Sequence, residues 1–359
     1  MLVRMDRRTM LTTLALLAAR GAPAAETPRA LAFPTDFGAH PETRIEWWYI
    51  TGHLDADARR WGFQITFFRS ATGLAADSTS RFAARQLVFA HAALTDLQQR
   101  RLRHDERIAR SGFGIAEAAT GDTALALHGW RLARSGTPER SRYHAELQSE
   151  RAAFGLMLDL DATQPVLLQG VAGTSRKGPR PEQASRYYSE PQLAVHGTLI
   201  EDGRSRAVQG RAWLDHEWSD ALLAPDAVGW DWIGMNLDDG SALTAFRLRR
   251  ADGGALWAGG SFRAPGQAVR DFGPDEVRFT PGRAWQSAAS GARYPVAWTV
   301  ETPVGRTTVE ALLDAQELDS RASTGSVYWE GLSALLDAAG RRIGIGYLEL
   351  TGYAARLRL

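Results

Sequence analysis

The 359-residue chain contains no cysteine, which excludes a disulfide framework, a thiolate metal site and a cysteine nucleophile. Lysine is almost missing as well: Lys177 is the only one among 42 basic residues, a bias toward arginine that reads as compositional. Charge of one sign is also lacking, since 42 basic residues meet 41 acidic ones. A net charge of +1 offers no broad field to draw a phosphate backbone, so nucleic acid is not expected as a partner. There is no H-E-x-x-H to set two imidazoles on one helix face, and His216 and Glu217 are neighbours that point to opposite sides of a strand. Neither a metal site nor a cofactor is expected. No G-x-S-x-G occurs, and Gly344-Ile345-Gly346 lacks the third glycine of a dinucleotide loop.

What is present begins with a leader. Arg4, Arg7 and Arg8 precede the apolar run Met10 to Ala19, and Gly21-Ala22-Pro23-Ala24-Ala25 supplies a small-residue cleavage site. Residues 1–25 therefore read as a cleaved signal peptide, too short to span a bilayer, and the protein is expected in the periplasm or secreted. Arg7-Arg8 is compatible with twin-arginine export.

Beyond the leader the pattern is that of strands. Phe63-Gln64-Ile65-Thr66-Phe67, Tyr143-His144-Ala145-Glu146-Leu147 and Trp298-Thr299-Val300-Glu301 alternate apolar and polar residues, and Asp-Gly turns punctuate them at short intervals. No long stripe of helical period appears. Three blocks then recur in the same order. Trp47-Trp48-Tyr49-Ile50 with its following strand resembles Trp230-Asp231-Trp232-Ile233 with its own, and the stretch opened by Arg142-Tyr143 resembles that opened by Arg293-Tyr294. Gly203 to Leu214 likewise resembles Gly340 to Leu348. The chain is expected to be all-β, with an N-terminal domain over 31–218 and a C-terminal one over 229–355. Gly170 to Ala184, rich in glycine, proline and basic residues, reads as a mobile flap or surface insertion.

Unusual chemistry gathers near the join. Trp213-Leu214-Asp215-His216-Glu217-Trp218 places three titratable groups between tryptophans, and Trp230-Asp231-Trp232 follows closely. Alternate residues of a strand share a face, so His216 and Trp218 point one way and Asp215 and Glu217 the other. If the faces bearing His216, Trp218 and Asp231 meet inside a barrel, Asp231 becomes a desolvated acid, Trp218 a ring that steadies a cation, and His216 a group that orients water. Those are the parts needed to protonate an alkene and capture the resulting cation. Glu217, Trp230, Trp232, Trp48, Tyr49 and His91 are the further candidates for lining a ligand pocket. The competing reading makes these residues core packing, with Asp215 and Glu217 as polar glue and Tyr328-Trp329-Glu330 as barrel lip.

His40-Pro41-Glu42 with Glu46-Trp47-Trp48-Tyr49, the Leu214 to Trp218 run and Trp230-Asp231-Trp232 resemble the carotenoid 1,2-hydratase (hydroxyneurosporene synthase) and AttH-type lipocalin-like family, over about residues 31 to 355. The resemblance implies two lipocalin-like antiparallel β-barrel domains packed together and a lipophilic small molecule, isoprenoid or lipid, as ligand. It places a hydratase proton donor at Asp231, with His216 and Trp218 beside it. The alternative it implies is a non-catalytic lipophile-binding accessory that partners ABC transporter components. One departure stands out: where the hydratases carry an aromatic residue two positions before the acid, this chain has Gly229.

Overall fold

Alternation of side chains about an extended backbone determines nearly everything in this fold. The computed structural model describes residues 29–73, 78–80, 82–221 and 223–357; the leader read at residues 1–25 lies outside the described residues. Apart from a 3-10 turn at Thr35–Phe37, every regular element among the described residues is a β-strand.

The first sheet has thirteen strands. It starts as a meander of β1 (Ile45–Ala56), β2 (Arg59–Ala71), β3 (Gln86–Asp96) and β4 (Arg101–Arg110). The free edge of β1 is taken by the last strand of the sheet, Arg204–Ser219, with Trp48 opposite His216 and Tyr49 opposite Asp215. Ala184–Glu201 pairs next, followed by Phe154–Asp161 and Arg140–Ser149. The short strands Ala116–Ala118 and Ala124–Leu127 come back against β3 and β4, which bends the sheet toward closure.

A second sheet of ten strands repeats this plan. Gly229–Leu237, Ala242–Arg249, Ala255–Arg263 and Arg270–Phe272 form the meander, and the last strand, Arg342–Leu350, again takes the free edge of the first. The first and third recurring blocks therefore fall on topologically matching strands, whereas Arg293-Tyr294, the start of the second, lie in a separate two-stranded sheet. The first sheet ends at Ser219 and the second begins at Gly229.

Each sheet curves over its own apolar core. Trp48, Ile50, Leu54, Leu214 and Trp218 belong to the first, and Ile233, Met235, Trp298 and Trp329 to the second. A third cluster draws on both sheets: Tyr49, Trp213, Trp232, Phe246, Leu332 and Tyr347 pack together. The strands at the centre of the molecule are thus buried on both faces, one toward a barrel interior and one toward the neighbouring barrel. Contact there is close. A Cβ placed on Gly62 of β2 would sit 2.7 Å from Tyr347 Oη and 3.0 Å from Leu332 Cβ.

Candidate functional site

The same alternation separates the sequence candidates into two groups. His216 and Trp218 point into the first core and Asp231 points into the second sheet's interior, while Asp215, Glu217, Trp230 and Trp232 project from the opposite faces of the same strands. The expected convergence of His216, Trp218 and Asp231 does not occur. The parity was right, but the faces that meet are the other two.

Asp231 is fully buried and its carboxylate is taken up. Arg247 Nε donates at 2.7 Å, Arg249 Nε at 3.1 Å and the Tyr353 hydroxyl at 2.8 Å. A carboxylate gripped by two guanidiniums within a barrel is an ion-pair anchor, and it lies outside the lining of the cleft between the sheets. His216 is equally committed. Its Nε2 lies 2.8 Å from Glu46 Oε1 and its Nδ1 3.0 Å from the Tyr188 hydroxyl, and its ring stacks on Trp48 at 4.4 Å. Trp218 stacks on His40 at 3.7 Å.

Glu46 is the hub of that first-barrel cluster. His40 Nδ1 meets Oε1 at 2.7 Å, and the His40 amide and Arg69 Nε donate to Oε2 at 2.9 and 2.7 Å. Burial opposes the charge, yet hydrogen bonds from His216 and His40 hold the Glu46 carboxyl down at about 2. His40, Glu46 and His216 are a group whose ligand atoms, within 4.8 Å of one another, could hold a metal ion. Arg69 pairs with Glu46, and the hydrogen bonds of Asp36 and Glu46 raise the proton affinity of His40 against the effect of burial, so these donors are already tied together in a hydrogen-bonded network.

Between the sheets lies a cleft of about 320 Å³. Its walls are aromatic and aliphatic: Trp47, Tyr49, Phe68 and Phe89 from the first sheet, Trp230, Trp232, Phe246 and Leu248 from the second. Of the expected pocket residues, Glu217, Trp230, Trp232, Tyr49 and His91 line it, whereas Trp48 faces the first core.

Four carboxyl groups enter this apolar space. Asp215 accepts from Trp213 Nε1 at 2.6 Å, Ser189 Oγ at 2.5 Å and the Tyr187 hydroxyl at 2.8 Å. Burial still pushes it up to about 7. Glu217 accepts from Ser185 and pairs with Lys177 Nζ at 2.9 Å. Glu330 and Glu349 stand opposite each other on adjacent strands. Burial, reinforced by the charge of Glu349, raises Glu330 well above the usual carboxyl range, and burial lifts Glu349 to about 7. Glu330 and Tyr49 are both buried at this wall, and among the described residues the only side-chain hydrogen-bonding influence on Glu330 comes from Tyr49.

At another part of the wall His91 bridges the barrels, its Nδ1 2.9 Å from the Tyr328 hydroxyl and its Nε2 2.8 Å from Ser323 Oγ, and Ser323 donates on to Glu106. Burial lowers His91 to about 3 and keeps its ring neutral.

The comparisons agree with this architecture. The family profile described as AttH-like matches residues 24–353. The chain belongs to the AttH-like family. A solved Nitrosomonas europaea structure described as an AttH protein is 47% identical, covering 92% of this chain and 99% of its own, with a TM-score of 0.84. Kievitone hydratase from Nectria haematococca has the same fold at 14% identity, covering 91% of this AttH-like chain and 94% of its own, with a TM-score of 0.69. No curated protein matches the chain significantly.

Sequence reasoning missed Glu330, Glu349 and Lys177. Glu330 was legible only as a lip residue, and Glu349 carried no motif. Lys177 was marked by being the only lysine, and its loop is no detached flap: Lys177 N donates to Gln183 O at 2.7 Å, and Lys177, Gln183 and Ser175 are buried.

Proposed function

We propose that this AttH-like protein binds an acyclic isoprenoid in the cleft between its barrels and adds water across a carbon–carbon double bond, in the manner of a carotenoid 1,2-hydratase. One observation carries the reading: a mostly apolar cleft contains a buried, mutually repelling carboxyl pair, Glu330 and Glu349, one member of which holds a proton at neutral pH. Two adjacent carboxyls in low dielectric cannot both ionise.

The chemistry needs only these side chains and water. The protonated carboxyl gives its proton to one alkene carbon, leaving a tertiary cation on the other and a carboxylate beside it. The faces of Trp230 and Trp232 offer cation–π attraction of about 2 kcal/mol when desolvated. Water attacks the cation, and its surplus proton returns to the carboxylate, so the acid is regenerated. The donor is the glutamate pair, where the resemblance alone implied Asp231.

The test is incubation with an acyclic isoprenoid in ¹⁸O water, followed by product mass. Labelled tertiary alcohol from the wild type, with its rate cut by about 10²- to 10⁴-fold in either Glu330→Gln or Glu349→Gln, supports the reading. No label from the wild type overturns it.

A second reading has its own support. Ile108, which lines the cleft, is 39% exposed. An exposed apolar side chain at the cleft suits a carrier that takes a lipophile from a membrane or from ABC transporter components outside the cytoplasm, following cleavage of the leader. Tight binding of unlabelled, unchanged isoprenoid would favour it.

A further inference from the structure

The arginine bias makes one position conspicuous. Of 42 basic residues a single one is lysine, and its side chain lines the cleft. Lys177 is 6% exposed. Its Nζ lies 2.9 Å from Glu217 Oε1, 4.3 Å from the centre of the Phe246 ring and 4.8 Å from that of Tyr187. Arginine would supply charge for this ion pair as well or better, with a planar fork matched to a carboxylate. A primary amine offers what guanidinium cannot: a nitrogen that becomes a nucleophile once it gives up one proton.

The surroundings suit that use. The neighbouring carboxylate of Glu217 can take the proton and return it, and Ser185 holds that carboxylate in place. Two ring faces and one carboxylate surround the nitrogen, an arrangement that favours a cation whether it is an ammonium or an iminium. The cleft is poor in positive charge for an anionic headgroup, because Asp215, Glu217, Glu330 and Glu349 all face it and Lys177 is already paired. Tyr49 and Glu330, both buried and lining the cleft, are placed to meet a polar group on a bound lipophile.

We propose that Lys177 captures an aldehyde- or ketone-bearing lipophile in the cleft as an imine. The proposal rests on the reading that the cleft takes a lipophile, and it narrows the ligand to carbonyl compounds. The Lys177 ammonium passes a proton to Glu217, and the free amine attacks the carbonyl carbon. The new carbon–nitrogen bond forms as the carbonyl π pair moves to oxygen, and one amine proton transfers to that oxygen to give a carbinolamine. Glu217 then protonates the hydroxyl, water leaves, and an iminium remains. The sum is ammonium plus carbonyl giving iminium plus water, reversible and without oxidant or reductant.

Because the chain has one lysine, the test needs no variant to locate the site. The folded full-length protein is incubated with citral, an isoprenoid aldehyde, and sodium cyanoborohydride, and the reduced adduct is read by intact mass and peptide mapping. Squalene, which has no carbonyl, is titrated in parallel by quenching of tryptophan fluorescence. One reduced adduct at Lys177, formed about 10-fold or more faster with citral than with propanal and abolished by unfolding in urea or by Lys177→Arg, supports the proposal. An adduct confined to the α-amine, or one that forms equally in urea, overturns it. Squalene quenching without a citral adduct overturns the imine and leaves the lipophile cleft standing. Failure of both probes to bind removes both.

Discussion

Glu330 and Glu349 face each other directly across two antiparallel strands, and both are buried against the inter-barrel cleft. Like charges in that position repel, so the pair keeps a proton that an isolated surface carboxyl would lose. Glu349→Gln removes one partner and relieves the repulsion on Glu330. Hydration by this variant should fall by about 10²-fold or more if Glu349 is the donor, and persist with a lowered upper pH limit if Glu330 is. Rate profiles of both single variants tell the two apart.

Asp231→Asn should act on stability, since it leaves Arg247 and Arg249 facing a neutral amide inside the second sheet. A loss of about 3 to 5 kcal/mol is expected from denaturant melts, with turnover per folded molecule little changed. Equal melting of variant and wild type, with turnover abolished, would return Asp231 to the chemistry.

If Glu349 is the donor, activity should decline as pH rises through about 7, where it loses the proton that burial has kept on it. A hydration rate flat from pH 5 to 9 would be incompatible with Glu349 as the acid.

Stability responds to pH through Glu46 in the opposite sense. Its folded value, about 2, lies below the ordinary 4.5, so its contribution is complete above about 4.5 and disappears as pH falls from there toward 2. The contribution is about 3 kcal/mol at neutral pH. Urea melts of wild type and Glu46→Gln should differ widely at pH 7 and converge near pH 2.

Gly62→Val should force the sheets apart where Tyr347 and Leu332 press on β2, at a cost of about 1 to 3 kcal/mol in thermal melting. Lipophile affinity should fall with it, since the same separation distorts the cleft wall.

The strands and their duplication were legible because period-two alternation and turn residues are local signals. Trp230 and Trp232 were placed correctly on one face for the same reason. What that local pattern leaves open is which face meets which across the molecule. His216 and Asp231 each sit on the face predicted for them, but those faces look into separate barrels. Glu330 and Glu349 become a pair only through the register of Ser326–Leu336 with Arg342–Leu350, and neither segment alone signals the other. Lys177 lies in a segment whose glycines and prolines resemble a surface loop, and its burial depends on packing beside Tyr187 and Phe246.

The two halves share a plan, yet the cleft draws its amine and one set of carboxyls, Lys177, Asp215 and Glu217, from the first half and the glutamate pair from the second. A repeat that encloses one cavity between its copies is released from symmetry at that surface. Each copy can hold its interior to the common barrel pattern while its outward face drifts toward a different chemical task. The lining of the cleft can therefore change by substitutions on outward-facing strand positions, without disturbing either fold.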